Sequence, residues 1–149
     1  MRKYALDTNC YIDASRDPEF LGELTRFSAW STPGLYLSSV VASELRAGTR
    51  STKDRKKLEE KVLGPFVRRG RVLTPSASAW DALGLTLSTL RQAEGLVLSE
   101  VRRSFVLDIL LAFSCREAGV TLVTANTRDM ERIRTVFSFD YGKPFPERV

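Results

Sequence analysis

Five short apolar runs, at Lys3–Leu6, Leu35–Leu37, Arg71–Leu73, Thr121–Thr124 and Thr135–Phe139, alternate with longer segments whose apolar residues recur at helical spacing. Runs of that length are strands, and the intervening helices are long enough to carry the chain back across a sheet. The strands are therefore expected to lie parallel in successive βαβ units, with helices on both faces. Ser39 is placed to cap a helix Val40–Ala47 that Gly48 closes. Ser76 is placed to cap a long helix through Trp80, Leu83, Leu87 and Leu90, and Ser104 precedes a helix Phe105–Glu117 closed by Gly119. Pro33-Gly34, Gly64-Pro65 and Thr74-Pro75 punctuate elements, and no repeat or low-complexity tract divides them. Residues 1–149 thus read as one domain, whose 43% hydrophobic content suits burial of roughly 70% of the unfolded surface.

In such a sheet, strand ends and helix starts share one crevice. Four carboxylates fall there. Asp7 ends the run Tyr4-Ala5-Leu6, Glu44 and Asp108 sit about a turn inside apolar helices, and Asp129 opens a helix after Thr121–Thr124. Asp108 has Ser104 and Phe105 one turn back and Leu111 and Ala112 one turn ahead; Glu44 has Val40 and Val41 behind and Ala47 and Gly48 ahead. No cation stands at helical contact spacing from either, although burial opposes an unpaired charge. Two carboxylates about 5 Å apart repel by on the order of 3 kcal/mol at an effective dielectric near 20. A divalent cation or protonation must relieve a cluster of four. Oxygen ligands without Cys or His favour Mg²⁺ or Mn²⁺ over zinc. Each acid also has a purely structural reading, with Asp7 as a strand end, Asp129 as part of the cap of a helix begun at Asn126, and Glu44 paired with a distant Arg. Thr8, Asn9, Thr124 and Asn126 are short polar residues suited to turns and caps, and equally to orienting carboxylates and water.

Composition removes several chemistries. The chain has no histidine, which excludes Ser-His-Asp and Cys-His nucleophilic sites, His-pair ribonuclease catalysis and His-ligated zinc. It has no Walker lysine loop and no GxGxxG stretch. Cys10 and Cys115 are the only thiols, and without a signal-peptide pattern they point to a reduced, cytoplasmic setting. Cys10 reads as a small core residue beside the first strand. The longest apolar stretch, Phe105–Cys115, contains Asp108 and is about half the ~20 residues a membrane span needs.

The net charge of +5 is uneven. Residues 46–71 hold ten Arg or Lys against Asp54, Glu59 and Glu60, leaving the rest of the chain slightly acidic. A cationic segment beside an anionic pocket would draw a phosphate backbone toward the acids. The same residues also suit a solvated helix face, with Leu58 and Val62 packing inward.

Leu6-Asp7-Thr8-Asn9, Ser38-Ser39-Val40-Val41-Ala42-Ser43-Glu44-Leu45, Asp108-Ile109-Leu110-Leu111-Ala112 and Leu122-Val123-Thr124-Ala125-Asn126-Thr127-Arg128-Asp129 resemble, in order, the four motif blocks of PIN-domain nucleases, the VapC-type toxins among them. The resemblance implies a three-layer α/β/α sandwich on a five-stranded parallel sheet of order 3-2-1-4-5. It also implies a metal-dependent endoribonuclease that slows translation, a homodimer, and a cognate VapB-type antitoxin. Carried over residue by residue, it makes Asp7, Glu44 and Asp108 the main metal ligands, with Asp129 holding a second ion or orienting the attacking water. Asn9, Thr124 and Asn126 become polar support. Met130 stands where the family usually has an aromatic, Ala125 where a larger residue is frequent, and Ser99–Arg103 fits less well. Glu100 could add a carboxylate or pair with Arg103.

Arg46, Arg50, Arg102 and Arg103 are candidate phosphate contacts on an RNA substrate, with ordinary surface charge as the alternative. A rival in another class is a PIN-like module that binds RNA or an antitoxin without cutting; intact acids at all four positions argue against it. A phosphoacceptor receiver domain would want paired acids after the first strand, and a haloacid-dehalogenase-type phosphatase an Asp two residues after Asp7, where Asn9 stands.

Overall fold

The computed structural model describes all of residues 1–149. Five parallel strands, β1 (Tyr4–Leu6), β2 (Leu35–Ser38), β3 (Val72–Leu73), β4 (Thr121–Val123) and β5 (Tyr141–Gly142), lie in the order β3-β2-β1-β4-β5. This is the expected 3-2-1-4-5 arrangement with helices on both faces. The centre is set by β1, which pairs Tyr4 with Leu35 on one side and Tyr4 with Thr121 on the other. All three residues of β1 are buried, as a strand covered on both faces requires.

Helices α1 (Thr8–Arg16) and α2 (Pro18–Ser31) follow β1, and α3 (Ser39–Ala47) follows β2. A cationic helical stretch comes next: α4 (Thr52–Leu58), a π-turn at Glu59–Leu63, then α5 (Gly64–Arg68). Beyond β3 run α6 (Ala77–Glu94), α7 (Arg103–Ala118) and, after β4, α8 (Thr127–Arg134). The main core of sixteen buried residues joins β1, β2 and β4 to α3 and α7 and includes Leu37, Val41, Ile109, Leu111 and Leu122. A second cluster, Tyr4, Leu6, Cys10, Phe27, Leu35 and Val123, seats α2. Helix α7 buries residues around much of its circumference, from Phe105 to Cys115, as the apolar run foretold. Gly119 closes it at φ +66°, a left-handed conformation that glycine adopts without Cβ strain.

Three expectations shift. The run Thr135–Phe139 is not a strand. Val136 and Phe137 donate their N–H groups back to Ile133, as the chain turns off α8, and the ladder to β4 begins only at Asp140. Val136, Phe137 and Phe139 pack on the core, so their apolar character reflects burial rather than pairing. The cap of α3 is Ser38 rather than Ser39, because β2 runs to Ser38, whose extended backbone lets its hydroxyl accept from Val40 N at 3.1 Å. Ser104 does not cap α7, which starts at Arg103 behind Arg102 without a side-chain cap. Ser76 caps α6 as expected, accepting from Ala79 N. No helix is long and apolar enough to cross a membrane.

Candidate active site

The first acid is positioned by the end of a strand. Asp7 is in extended conformation at the close of β1, where its N–H continues the ladder to Val123 O, and its Oδ1 accepts from Thr8 N at 2.7 Å. Its structural reading is therefore real, since it caps α1. Its other oxygen faces β4: Oδ2 accepts from Thr124 Oγ1 at 2.8 Å and Asn9 Nδ2 at 3.2 Å. Asn9 also donates to Thr124 Oγ1 and accepts from Ala125 N, which binds the ends of the two central strands together.

Each remaining acid joins through one of the expected polar residues. Thr8 Oγ1 donates to Glu44 Oε1 at 2.8 Å, tying α3 to α1. Asn126 Nδ2 donates to Asp108 Oδ2 and to Asp129 Oδ2, both at 3.0 Å, so one amide bridges α7 and α8. Asn126 is the N-cap residue of α8, yet its side chain makes no cap; it is spent on the acids instead. Asp7, Asp108 and Asp129 are buried, and Glu44 is half-buried.

Electrostatics bind the four into one group. Burial, followed by the charges of Asp7, Asp129 and Glu44, pushes the Asp108 carboxyl from 3.8 up to about 8, against a smaller opposing effect of Asn126. Burial also raises Asp7, opposed by its bonds from Thr124, Thr8 and Asn9. Among the ion pairs, only Arg102 to Asp129, at 3.0 Å, touches any of the four; Glu44 has no arginine partner. The carboxylates do not close into a ready three-ligand cage. Their donor set is nonetheless all oxygen, partly desolvated and mutually repelling, which fits a hard divalent cation such as Mg²⁺ or Mn²⁺.

The other candidates are dispersed. Arg46 is held by Glu59, with Nε donating to Oε1 at 2.5 Å and Nη2 to Oε2 at 3.2 Å, and that contact lowers the Glu59 carboxyl. Arg50 and Arg103 are exposed and unpaired. Glu100 stands exposed on a 3₁₀ turn without an ion pair to Arg103. In the basic segment Leu58 and Val62 do pack on the core, while Lys53, Arg55, Lys56 and Lys57 face solvent. Burial, then the charges of Asp7 and Asp13, pushes the Cys10 thiol up to about 12, which makes it inert as a nucleophile.

Sequence reasoning missed a wholly polar cleft of roughly 760 Å³, lined by Glu94, Arg102, Asn126, Arg128, Asp129 and Arg132. It opens directly off the acids through Asn126 and Asp129. Arg128 is the residue before Asp129 and Arg132 lies one turn later, so adjacency to a singled-out acid was the available signal.

The PIN domain family model matches residues 4–136, nearly the whole chain. A DNA-bound VapBC from Salmonella typhimurium superposes with a TM-score of 0.69 at 24% identity, covering 97% of this chain and 100% of that one. FitAB bound to an IR36 DNA fragment gives 0.69 at 19% identity, covering 97% and 98%. VapBC2 from Rickettsia felis, bound to a promoter DNA fragment, gives 0.62 at 24% identity over 94% and 97%. No curated protein sequence matches. The structural likenesses establish the shared fold, and the family match, spanning all four acids, shows that the chain belongs to the PIN domain family.

Proposed function

We propose that this chain is a metal-dependent endoribonuclease, the toxin of a VapBC-type toxin–antitoxin pair, working as one domain that forms a homodimer and is held in check by a VapB-type antitoxin. Asp108 supports this most: a buried carboxylate surrounded by three others, with no cation of its own, is costly unless a ligand repays it. The solved complexes of similar fold, which carry antitoxins, support the partner assignment.

Asp7, Glu44 and Asp108 would hold Mg²⁺ or Mn²⁺, with Asp129 completing the set. The bound ion supplies Lewis-acid stabilisation of phosphate charge and a water nucleophile at neutral pH. Thr8, Asn9, Thr124 and Asn126 fix the carboxylate orientations, and each does so through a hydrogen bond already made. Arg102 and Arg103, at the start of α7, and Arg46 and Arg50, beyond Glu44, are the phosphate contacts of this reading.

Absence of histidine makes the product ends diagnostic. Attack by the internal 2′ hydroxyl relies on a general acid and base, typically a histidine pair, and leaves a cyclic phosphate. Attack by water expels either the 3′ or the 5′ oxygen and does not need the 2′ hydroxyl as nucleophile; the family resemblance favours loss of the 3′ oxygen, which leaves a 5′ phosphate and a 3′ hydroxyl. RNA incubated with the protein and Mg²⁺ is expected to give 5′-phosphate ends, with residual cutting of a substrate 2′-deoxy at the cut site and none in excess EDTA. Finding 2′,3′-cyclic phosphate ends would overturn the chemistry.

The exposed cations of α4 give a separate expectation. Changing Lys53, Arg55 and Lys57 to Gln is expected to weaken RNA binding and lower the slope of log affinity against log salt by roughly 0.7 for each lost phosphate contact. Metal affinity should stay the same. An unchanged slope assigns the segment to solvation alone.

A further inference from the structure

The polar cleft beside Asp129 holds three guanidinium groups against two carboxylates. They are not equivalent. Arg132 is fixed twice, donating from Nε to Glu94 Oε1 at 3.0 Å and lying 4.9 Å over the Phe105 ring, so it forms a static wall. Arg128 has no ion-pair partner. Arg102 reaches in from solvent: its side chain is 67% exposed, and it donates from Nη2 to Asp129 Oδ2 at 3.0 Å. That makes it the one cation of the protein in contact with the four acids.

We propose that Arg102 is a resident counter-ion of Asp129 that a divalent metal displaces, and that the released guanidinium joins Arg128 to grip an RNA phosphate in the cleft. The inference rests on the metal-dependent nuclease reading. The pair is a single monovalent contact, solvated on its arginine side though not on Asp129, whereas a divalent ion interacts with the whole carboxylate group at once. The exchange therefore runs toward the metal. While Arg102 is paired with Asp129 the carboxylate offsets its charge, so the guanidinium pulls fully on a phosphate once Asp129 has another cation. Asp129 keeps its Asn126 bond throughout, which leaves the carboxylate oriented when the arginine departs. Metal occupancy and substrate affinity are thereby coupled through one side chain.

Mn²⁺ titration of the full chain by calorimetry, without RNA, tests the exchange. Arg102→Gln is expected to bind Mn²⁺ about two- to five-fold more tightly than wild type, because a competitor for Asp129 is gone. A merely structural role would loosen the site instead. In an Asp129→Asn background the same substitution is expected to leave Mn²⁺ affinity unchanged within about two-fold. In saturating Mn²⁺, Arg102→Gln and Arg128→Gln are each expected to weaken binding of a fluorescent single-stranded DNA oligonucleotide several-fold and to reduce its salt slope by about 0.7. Unchanged or weaker Mn²⁺ binding by Arg102→Gln overturns the exchange while wild-type binding keeps the metal reading intact. Equal tightening in the Asp129→Asn background overturns it too, since the effect would then be simple charge removal. A wild type that binds no Mn²⁺ sinks both.

Discussion

Asp7→Asn and Asp108→Asn are each expected to lower RNA cleavage by about 10²- to 10³-fold, the scale seen when a main electrostatic contributor is removed from a hydrolytic site. The amide keeps the shape of the side chain but not the charge a divalent ion needs. The change costs little at Asp108, and at Asp7 it loses the bond from Asn9 Nδ2 to Oδ2, where the amide nitrogen cannot accept. At Asp7 the amide oxygen can still accept from Thr8 N, so the cap of α1 survives. At Asp108 the lost charge had no ionic partner, so no cation is orphaned. Initial cleavage rates at saturating Mg²⁺, alongside far-UV circular dichroism, check the outcome. Wild-type rates from either folded variant would mean that these acids do not hold the reactive metal.

The second large effect is on stability without metal. Asp108 keeps its proton up to about pH 8 in the folded protein, while the unfolded carboxyl loses it near 3.8. Between those values the folded state binds the extra proton, so stability falls as pH rises. The contribution is fully present below about pH 4 and gone above about pH 8, and Asp7, raised for the same reason, adds in the same direction. A shift of this size corresponds to at most on the order of 6 kcal/mol. In EDTA the melting temperature at pH 8.5 is therefore expected to lie well below that at pH 5.5, and Asp108→Asn should remove most of the difference and melt higher at pH 8.5. Mg²⁺ should restore wild-type stability at the higher pH. Binding of the ion near pH 7 should also release protons, visible as a dependence of the heat on buffer ionisation enthalpy. An equal fall in Asp108→Asn would assign the pH dependence to other groups.

The acids were legible because each broke a local rule. A carboxylate on an apolar helix face, with no cation a turn away, conflicts with burial, and such conflicts concentrate at functional sites. The parallel sheet was legible from alternating run lengths. What failed had the opposite character. Val136, Phe137 and Phe139 satisfy burial and strand composition together, and composition alone does not tell packing from pairing. Arg128 and Arg132 sit on a short, strongly amphipathic helix, where arginine is unremarkable until the fold sets it beside Glu94 and Phe105. The Arg46–Glu59 contact depends on the turn between α3 and α4, which no periodicity encodes.

The central pair of the sheet joins residue 4 to residue 121, and the amide that links Asp108 with Asp129 comes later still, at residue 126. Pairings so distant along a chain form late, after the loop between them has closed. During synthesis β1 and β2 are made well before β4, so the other edge of β1 is open and only Asp7 and Glu44, joined through Thr8, have the elements that bring them together. The acid group is complete only when β4 docks and α8 brings Asn126 and Asp129 to Asp108. On the proposed nuclease reading, a nascent chain still short of residue 129 therefore carries no complete acid group.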